Sequence, residues 1–442
     1  MFTKQQNILR DLGHDLIMRC ATPEDADALG DFNGKIHGID DADRLGVAIW
    51  TRDSLTRPHA TLKPSDFTIV EETSTGRIVS SLNLIPQTWS YEGIEFGVGR
   101  PELVGTLPEF RGRGLVRAQF DVVHQWSAER GHMVQGITGI PYYYRQFGYE
   151  FALNLGGRRM GSLSPKLKDG ESEKYSIRPA DEKDIPFLMS VYEHACKRSM
   201  INASWTEAHW HNNLFEISDA SVQKLEFRII ERADSREAVG YFAHAKLLGL
   251  TGINVFHYEL VAGVSWLEVS PCVVRYLWAV GQDLATEQNR PCTTFGFLLG
   301  AVHPAYDALG DTLPSVHEPY AWYLRVPDLL GFLNHIKPAL EKRLAASIAS
   351  GHTGEYLIGM YPKGLKLILE NGGITFDDWK PDHADHGNAG FPMLTFLQVL
   401  FGYRSFEELK HAFPDCWWSD HATHMIIDIL FPKKHSNVYG IS

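Results

Sequence analysis

The chain has 442 residues, 44% hydrophobic and 22% charged, with a formal net charge of −12. That length suggests two to four folded units at about 100–200 residues each, and the acidic balance excludes a general nucleic-acid binder, which needs a basic face. Five scattered cysteines with no C-x-x-C pair fit reduced thiols in a cytoplasmic protein, the first residues hold no apolar signal core, and no apolar run approaches the roughly 18 residues of a membrane span.

Residues up to Asp15 read as a polar leader, and 16–21 as a short strand. Thr22, Pro23, Glu24 and Asp25 start a helix: Thr22 is a cap, Pro23 suits the first turn, and the two carboxylates suit the dipole. Runs 67–71 and 78–84 read as a hairpin through Ser74, Thr75 and Gly76. A further strand pair breaks near Glu92 and Gly93.

The densest signal follows. An apolar run, Leu103, Val104, Gly105, Thr106 and Leu107, precedes Pro108-Glu109-Phe110-Arg111-Gly112-Arg113-Gly114-Leu115-Val116. Beyond it Leu115, Ala118, Val122 and Trp126 recur at helical spacing up to Gly131. A strand, a glycine-rich turn and a helix start make an anion site, because the first N–H groups of a helix lack internal partners and its dipole favours negative charge. Gly112 and Gly114 let those groups approach an anion, and Arg111 and Arg113 add charge. This is the pattern of a pyrophosphate cradle. Another strand is expected at 133–140, then the run Tyr142-Tyr143-Tyr144-Arg145-Gln146-Phe147-Gly148-Tyr149-Glu150.

Residues 160–175 read as a linker or a long surface loop. After it Arg178, Ala180, Asp184 and Leu188 repeat Arg19, Ala21, Asp25 and Leu29 at an offset of 159, as an internal duplication would. Strands are expected at 227–231, 258–262 and 265–269. The place for a second cradle, 271–276, has no glycine. From about Tyr320 the texture changes: a helix at 326–347, a hairpin of 356–361 with 365–369, a helix at 393–400, a capping box from Ser405, and a last strand at 425–431. Of the His-rich stretches 382–386 and 421–424, the first reads as a polar loop, and neither is read as a set of metal ligands.

The run from Arg111 to Val116 resembles the R/Q-x-x-G-x-G/A signature of the GNAT acetyltransferases, with Val116 where a smaller residue is usual. Tyr144 to Glu150 resembles that family's Y-x-x-F-G-Y/F-E element, and the Arg19, Ala21 and Asp25 spacing is similar to its opening segment. The whole plan resembles the Eis-like (enhanced intracellular survival) group. The resemblance implies an α/β (α+β) chain: a catalytic GNAT domain over 1–160, a degenerate GNAT-like domain over 175–318, and a sterol-carrier-like α/β domain over 319–442.

It also implies acetyl-CoA as co-substrate, with no metal. The acceptor is a primary amine on a small molecule or a lysine. Symmetric homo-oligomers occur in the group. Acetyl transfer needs the thioester held, its oxygen stabilised, the amine deprotonated and the thiolate protonated. Leu103, Val104 and Gly105 align the pantetheine arm, while Arg111, Gly112, Arg113, Gly114, Leu115 and Val116 hold the pyrophosphate. Tyr144, three residues before Phe147, matches the family's general acid, with Tyr143 as the alternative, and a phenol with pKa about 10 suits that task. The base is either the α-carboxylate of Ser442, as the Eis-like resemblance implies, or Glu102. The Phe32, His37 and Trp50 region is expected to line the amine pocket. Two other readings remain open: a non-catalytic protein binding CoA or an apolar ligand, and a transferase using another acyl-CoA.

Overall fold

A computed structural model of the chain describes residues 7–382 and 386–439. The first sheet builds outward from five antiparallel strands that are neighbours in space as in sequence: β1 (Ile8–Gly13), β2 (Leu16–Cys20), β3 (Phe67–Glu72), β4 (Arg77–Tyr91) and β5 (Ile94–Thr106). Helices α1 (Ala26–His37) and α2 (Asp41–Thr56) fill the β2–β3 connection, and α3 (Leu115–Glu129) leads to β6 (Val134–Ile137), parallel to β5. The expected leader is corrected here. Residues 8–13 pair with β2 through a tight turn in which His14 and Asp15 take left-handed conformations. The strand is an exposed edge, so its side chains carry no inside–outside alternation to betray it.

After β7 (Glu150–Leu155) the chain enters a second sheet. Its strand β8 (Arg158–Gly161) opens the stretch expected to be a linker. Then come β9 (Tyr175–Pro179), α4 (Ile185–Cys196), β10 (Ile201–Ala203), α5 (Glu207–His211), β11 (Leu225–Arg232), β12 (Ala238–Ala245), β13 (Gly252–Leu260), α6 (Trp266–Glu287), β14 (Thr294–Phe297), α7 (Pro304–Leu309) and β15 (Ser315–His317). Strands β9, β11, β12 and β13 pair antiparallel, and β13 pairs parallel with β14. That repeats β2, β3, β4, β5 and β6.

One ion cluster recurs with it. Arg19 donates two bonds to Asp25 (2.7 and 2.8 Å) and two to Glu71 (2.5 and 2.9 Å). Arg178 makes the same fork on Asp184 (2.7 and 2.8 Å) and reaches Glu231 at 2.6 Å. The repeat is thus the same strand–turn–helix staple used twice, a mixed α/β architecture consistent with tandem GNAT-like units.

Two expectations in this unit fail. Residues 266–269 and 271–276 lie in α6, with Ser265 as its N-cap, not in a strand and a lost cradle. A dense apolar run fits a buried helix as well as a strand. The turn that answers the first cradle is 261–265, whose single glycine, Gly263, has φ +85°.

The third segment begins inside the first sheet. Strand β16 (Tyr320–Arg325) inserts between β6 and β7, antiparallel to both, so a boundary at 319 cuts through the sheet's sequence rather than beside it. Next follow α8 (Leu329–Ala345), β17 (Gly354–Gly359), β18 (Gly364–Glu370), β19 (Gly373–Trp379) and β20 (Ala389–Gly390). The chain continues through α9 (Phe396–Leu400), α10 (Phe406–Ala412), β21 (Trp417–Trp418) and α11 (His421–Leu430). The third sheet runs β19-β18-β17-β20-β21.

The strand expected at 425–431 is helix α11, because Asp420 caps it by accepting from Thr423 N–H at 2.9 Å. Phe332 of α8 packs edge-on against Phe96 of β5 at 5.2 Å, so the third segment shares a core with the first. Strand β10 also extends the first sheet by pairing with β4. Among the described residues no helix is long and apolar enough to cross a membrane.

Candidate active site

The site grows from the place where β5 and β6 part. They pair only at Val98–Val134 and Gly99–Gln135. Beyond that point β5 carries a bulge. Asn83 of β4 faces Glu102 and Ser81 faces Gly105, so Leu103 and Val104 together oppose Leu82. Leu103 takes φ +52°, the left-handed region, which a branched aliphatic side chain adopts only when its surroundings impose it. The bulge turns main-chain groups of β5 out of the ladder and toward a cleft of about 860 Å³.

The floor of that cleft is the cradle. Gly112 and Gly114 both have φ +77°, and a Cβ built on either meets nothing within 4 Å. Gly114 caps α3, whose first internal bond is Ala118 N–H to the Gly114 carbonyl at 3.0 Å. The amides of Leu115, Val116 and Arg117 stand ahead of that bond, at the positive end of the helix dipole. Glu102, Leu103, Val104, Gly105, Arg111, Gly112, Gly114, Leu115, Val116 and Tyr144 all line the cleft, and so does Arg117, which the sequence reading passed over. Arg113 does not. Its guanidinium lies over the Phe110 ring at 4.7 Å and donates to the Glu109 carbonyl at 3.3 Å. Arg111 donates to the Thr106 carbonyl at 3.3 Å.

Tyr144 sits in a 3₁₀ turn, Tyr143–Phe147, facing the cradle across the cleft. It is 4% exposed. Its ring packs on Tyr323 at 5.5 Å and Phe120 at 5.9 Å. Burial, then the nearby Glu102 charge, push its phenol above the ordinary range, so it is protonated at neutral pH. Tyr323 belongs to β16 and braces the turn: its hydroxyl accepts from Tyr142 N–H and donates to the Ile140 carbonyl. Nothing in the local sequence around residue 144 points to a support almost 180 positions away.

Glu102 is ion-paired with Arg100, itself nearly fully buried. Ser442 lies outside the described residues. Of the expected amine-pocket residues, His37 lines the cleft. Phe32 is in the core, and Trp50 lines a separate crevice with Asp53 and Tyr439. Burial lowers the His37 pKa against the pull of Glu102 and of a backbone hydrogen bond at Leu103.

The second unit repeats this opening and closes it. β13 and β14 pair as far as Val255–Phe297 and then part. Tyr306, with Leu309 and Gly310 behind it, answers Tyr144, Phe147 and Gly148, a spacing the sequence held and the reading missed. Its hydroxyl accepts from Leu299 N–H at 3.0 Å and lies 3.0 and 3.1 Å from the Phe297 and Gly300 carbonyls. That hydroxyl stitches the strand exit shut. The remaining gap, about 300 Å³, is lined by Tyr241, His257, Glu259 and residues 435–437 and 439. Asn437 packs on Gly300, and Tyr439 lies 5.1 Å from His257. Burial pushes the Tyr439 phenol up to about 12, with Arg100 opposing.

Residues 47–152 match the family model described as an acetyltransferase (GNAT) domain. No curated protein matches the chain. Among solved structures, a GCN5-related N-acetyltransferase from Kribbella flavida is 17% identical with a TM-score of 0.61, over 97% of this chain and 98% of that one. A GCN5-related N-acetyltransferase from Anabaena variabilis is 13% identical with a TM-score of 0.62, over 96% and 99%. Eis1 from Mycobacterium abscessus is 13% identical with a TM-score of 0.54, over 94% and 97%. At these identities the likeness is one of fold, and it extends over nearly the whole length of each chain.

Proposed function

We propose that the protein is an acetyl-CoA-dependent N-acetyltransferase acting on a primary amine of a small molecule or a lysine side chain. The observation that carries this reading is a single cleft holding the left-handed Gly112–Gly114 cradle, the β5 bulge and a protonated tyrosine. The residues present fit a CoA thioester: a Cβ on either cradle glycine would stand in open space that an anion could fill, and free helix amides point there. When bound, acetyl-CoA supplies the activated acyl group.

The chain's own groups do the rest. Amides of the cradle hold the pyrophosphate. Main chain at Leu103 and Val104 lines the arm and faces the acyl oxygen. Tyr144 holds a proton for the departing sulfur. Glu102, which lines the cleft, takes the amine's proton, with the Ser442 carboxylate as the alternative. The two GNAT-like units and a third, sterol-carrier-like unit of the Eis-like plan are part of the same proposal. The division at 160, 175 and 319 would need adjusting for β8 and β16.

Tyr144→Phe tests it. Removing the hydroxyl should lower kcat for thiol release by about 10²–10⁴-fold while CoA affinity by calorimetry stays unchanged. Unaltered kcat would remove Tyr144 from the mechanism. Loss of CoA binding in the wild-type protein would remove the transferase reading itself.

A further inference from the structure

Two arginines line the cleft, Arg111 and Arg117, and a third, Arg113, stands on the same turn outside it. Among the described residues no carboxylate forms an ion pair with any of them, on a chain whose net charge is −12. Two are turned to the protein's own main chain, as described. Arg117 is different. It is the third residue of α3, and helical side chains tilt toward the N-terminus, here over the cradle.

Its guanidinium is also held in place. Nη2 donates to the Gln146 side chain at 2.7 Å. The guanidinium carbon lies 5.1 Å from the Phe147 ring centroid, and Phe147 in turn stacks on Phe120 at 4.4 Å and 14°. One donor edge is therefore tied to the far wall of the cleft, the face rests on a fixed ring, and the remaining N–H groups have no acceptor among the described residues. A planar cation so positioned suits a phosphate monoester, which it can engage with parallel bonds. The cradle amides already account for a diphosphate, so the anion left for Arg117 is a second, separate phosphate on the same ligand.

We infer that Arg117, seated on Phe147 and tethered by Gln146, reads the 3′-phosphate of the CoA ribose and so selects CoA over its dephospho form. This rests on the coenzyme reading above. The experiment is calorimetric titration of the whole chain with CoA and with 3′-dephospho-CoA. Wild type should prefer CoA by about ten- to a hundredfold, the range of one charge-assisted contact.

Arg117→Met keeps the stem on Phe147. It should bring that ratio to about one, with dephospho-CoA affinity unchanged. Arg113→Met should leave the ratio as in wild type. The inference is overturned if Arg117→Met weakens both ligands equally, or if the ratio survives in it, or collapses in Arg113→Met instead. A fall in melting temperature of Arg117→Met without a change in ratio likewise overturns it, because it would mark Arg117 as structural. Failure of wild type to bind either ligand would be a different result, and would sink the coenzyme reading first.

Discussion

Gly114→Ala separates a cradle that binds from one that merely turns. At φ +77° an alanine pays a left-handed penalty of about 1–2 kcal/mol. It meets no clash, since a Cβ there has nothing within 4 Å. Unfolding entropy of about 2.1 cal/mol/K per residue over 442 residues makes that penalty worth roughly 1–2 °C in melting temperature, provided the chain melts as one unit.

Ligand binding should lose more. The added methyl fills the space an anion needs and holds it off the α3 amides. With one such charge-assisted bond worth about 1.5–3 kcal/mol, CoA should bind about ten- to a hundredfold more weakly. Gly131 provides the control: it has φ +70°, equally open space, and a place at the other end of the same helix, away from the cleft. Gly131→Ala should cost the same stability and leave CoA affinity intact. The paired assays are differential scanning calorimetry and titration calorimetry. Equal CoA affinity in the two variants would refute the cradle argument, whatever their melting temperatures.

The duplicated ion cluster predicts an asymmetry. Arg19→Met removes the cation shared by Asp25 and Glu71, whose side chains are only 5% and 12% exposed, and should cost about 3–5 kcal/mol. Arg178→Met removes a cation 32% exposed, against 1% for Arg19, and although Asp184 and Glu231 are themselves only 11% and 7% exposed, Glu231 keeps Arg236 at 3.0 Å, so the loss should be smaller than for Arg19→Met; chemical denaturation measures both, and equal losses would contradict the argument. Burial alone would raise the Asp25 carboxyl, but bonds from Arg19 and the Thr22 amide outweigh it and hold the pKa below the ordinary value. Its contribution is therefore complete above about pH 4 and fades as pH falls below that, so Arg19→Met should show a flatter acid limb than wild type. Tyr306→Phe should destabilise by about 1–3 kcal/mol by orphaning the Leu299 amide, yet leave CoA stoichiometry at one per chain. A change in stoichiometry would mean the second opening is a coenzyme site after all.

What was legible in the sequence was chemistry that is local along the chain. The cradle needs two glycines before an amphipathic helix, and the Tyr144 to Glu150 run stands complete in one segment. What stayed hidden depends on contacts across sequence. The left-handed Leu103 arises because β4 and β5 disagree by one residue, which no property of leucine announces. Arg113 reads as a phosphate ligand until Phe110 and the Glu109 carbonyl claim it. The start of α6 and most of α11 read as strands in the sequence because runs such as Ile426, Ile427 and Ile429 are β-branched, and burial overrides that preference in the fold. Arg117 had a signal, one helical step beyond Gly114, but its meaning required Gln146 and Phe147 opposite it.

The insertion of β16 between β6 and β7 also sets an order of events during synthesis. The ribosome releases β7, ending at residue 155, long before Arg325 ends β16. At about 5–20 residues per second that interval lasts roughly 8–34 seconds. Throughout it β6 and β7 are unpaired on their facing edges, and the tyrosine turn lacks the Tyr323 brace. Exposed strand edges of this kind invite pairing with other nascent chains. The first part of the protein to be made is thus among the last to be finished, and its cleft stays without the braced tyrosine turn until almost three quarters of the polypeptide exists.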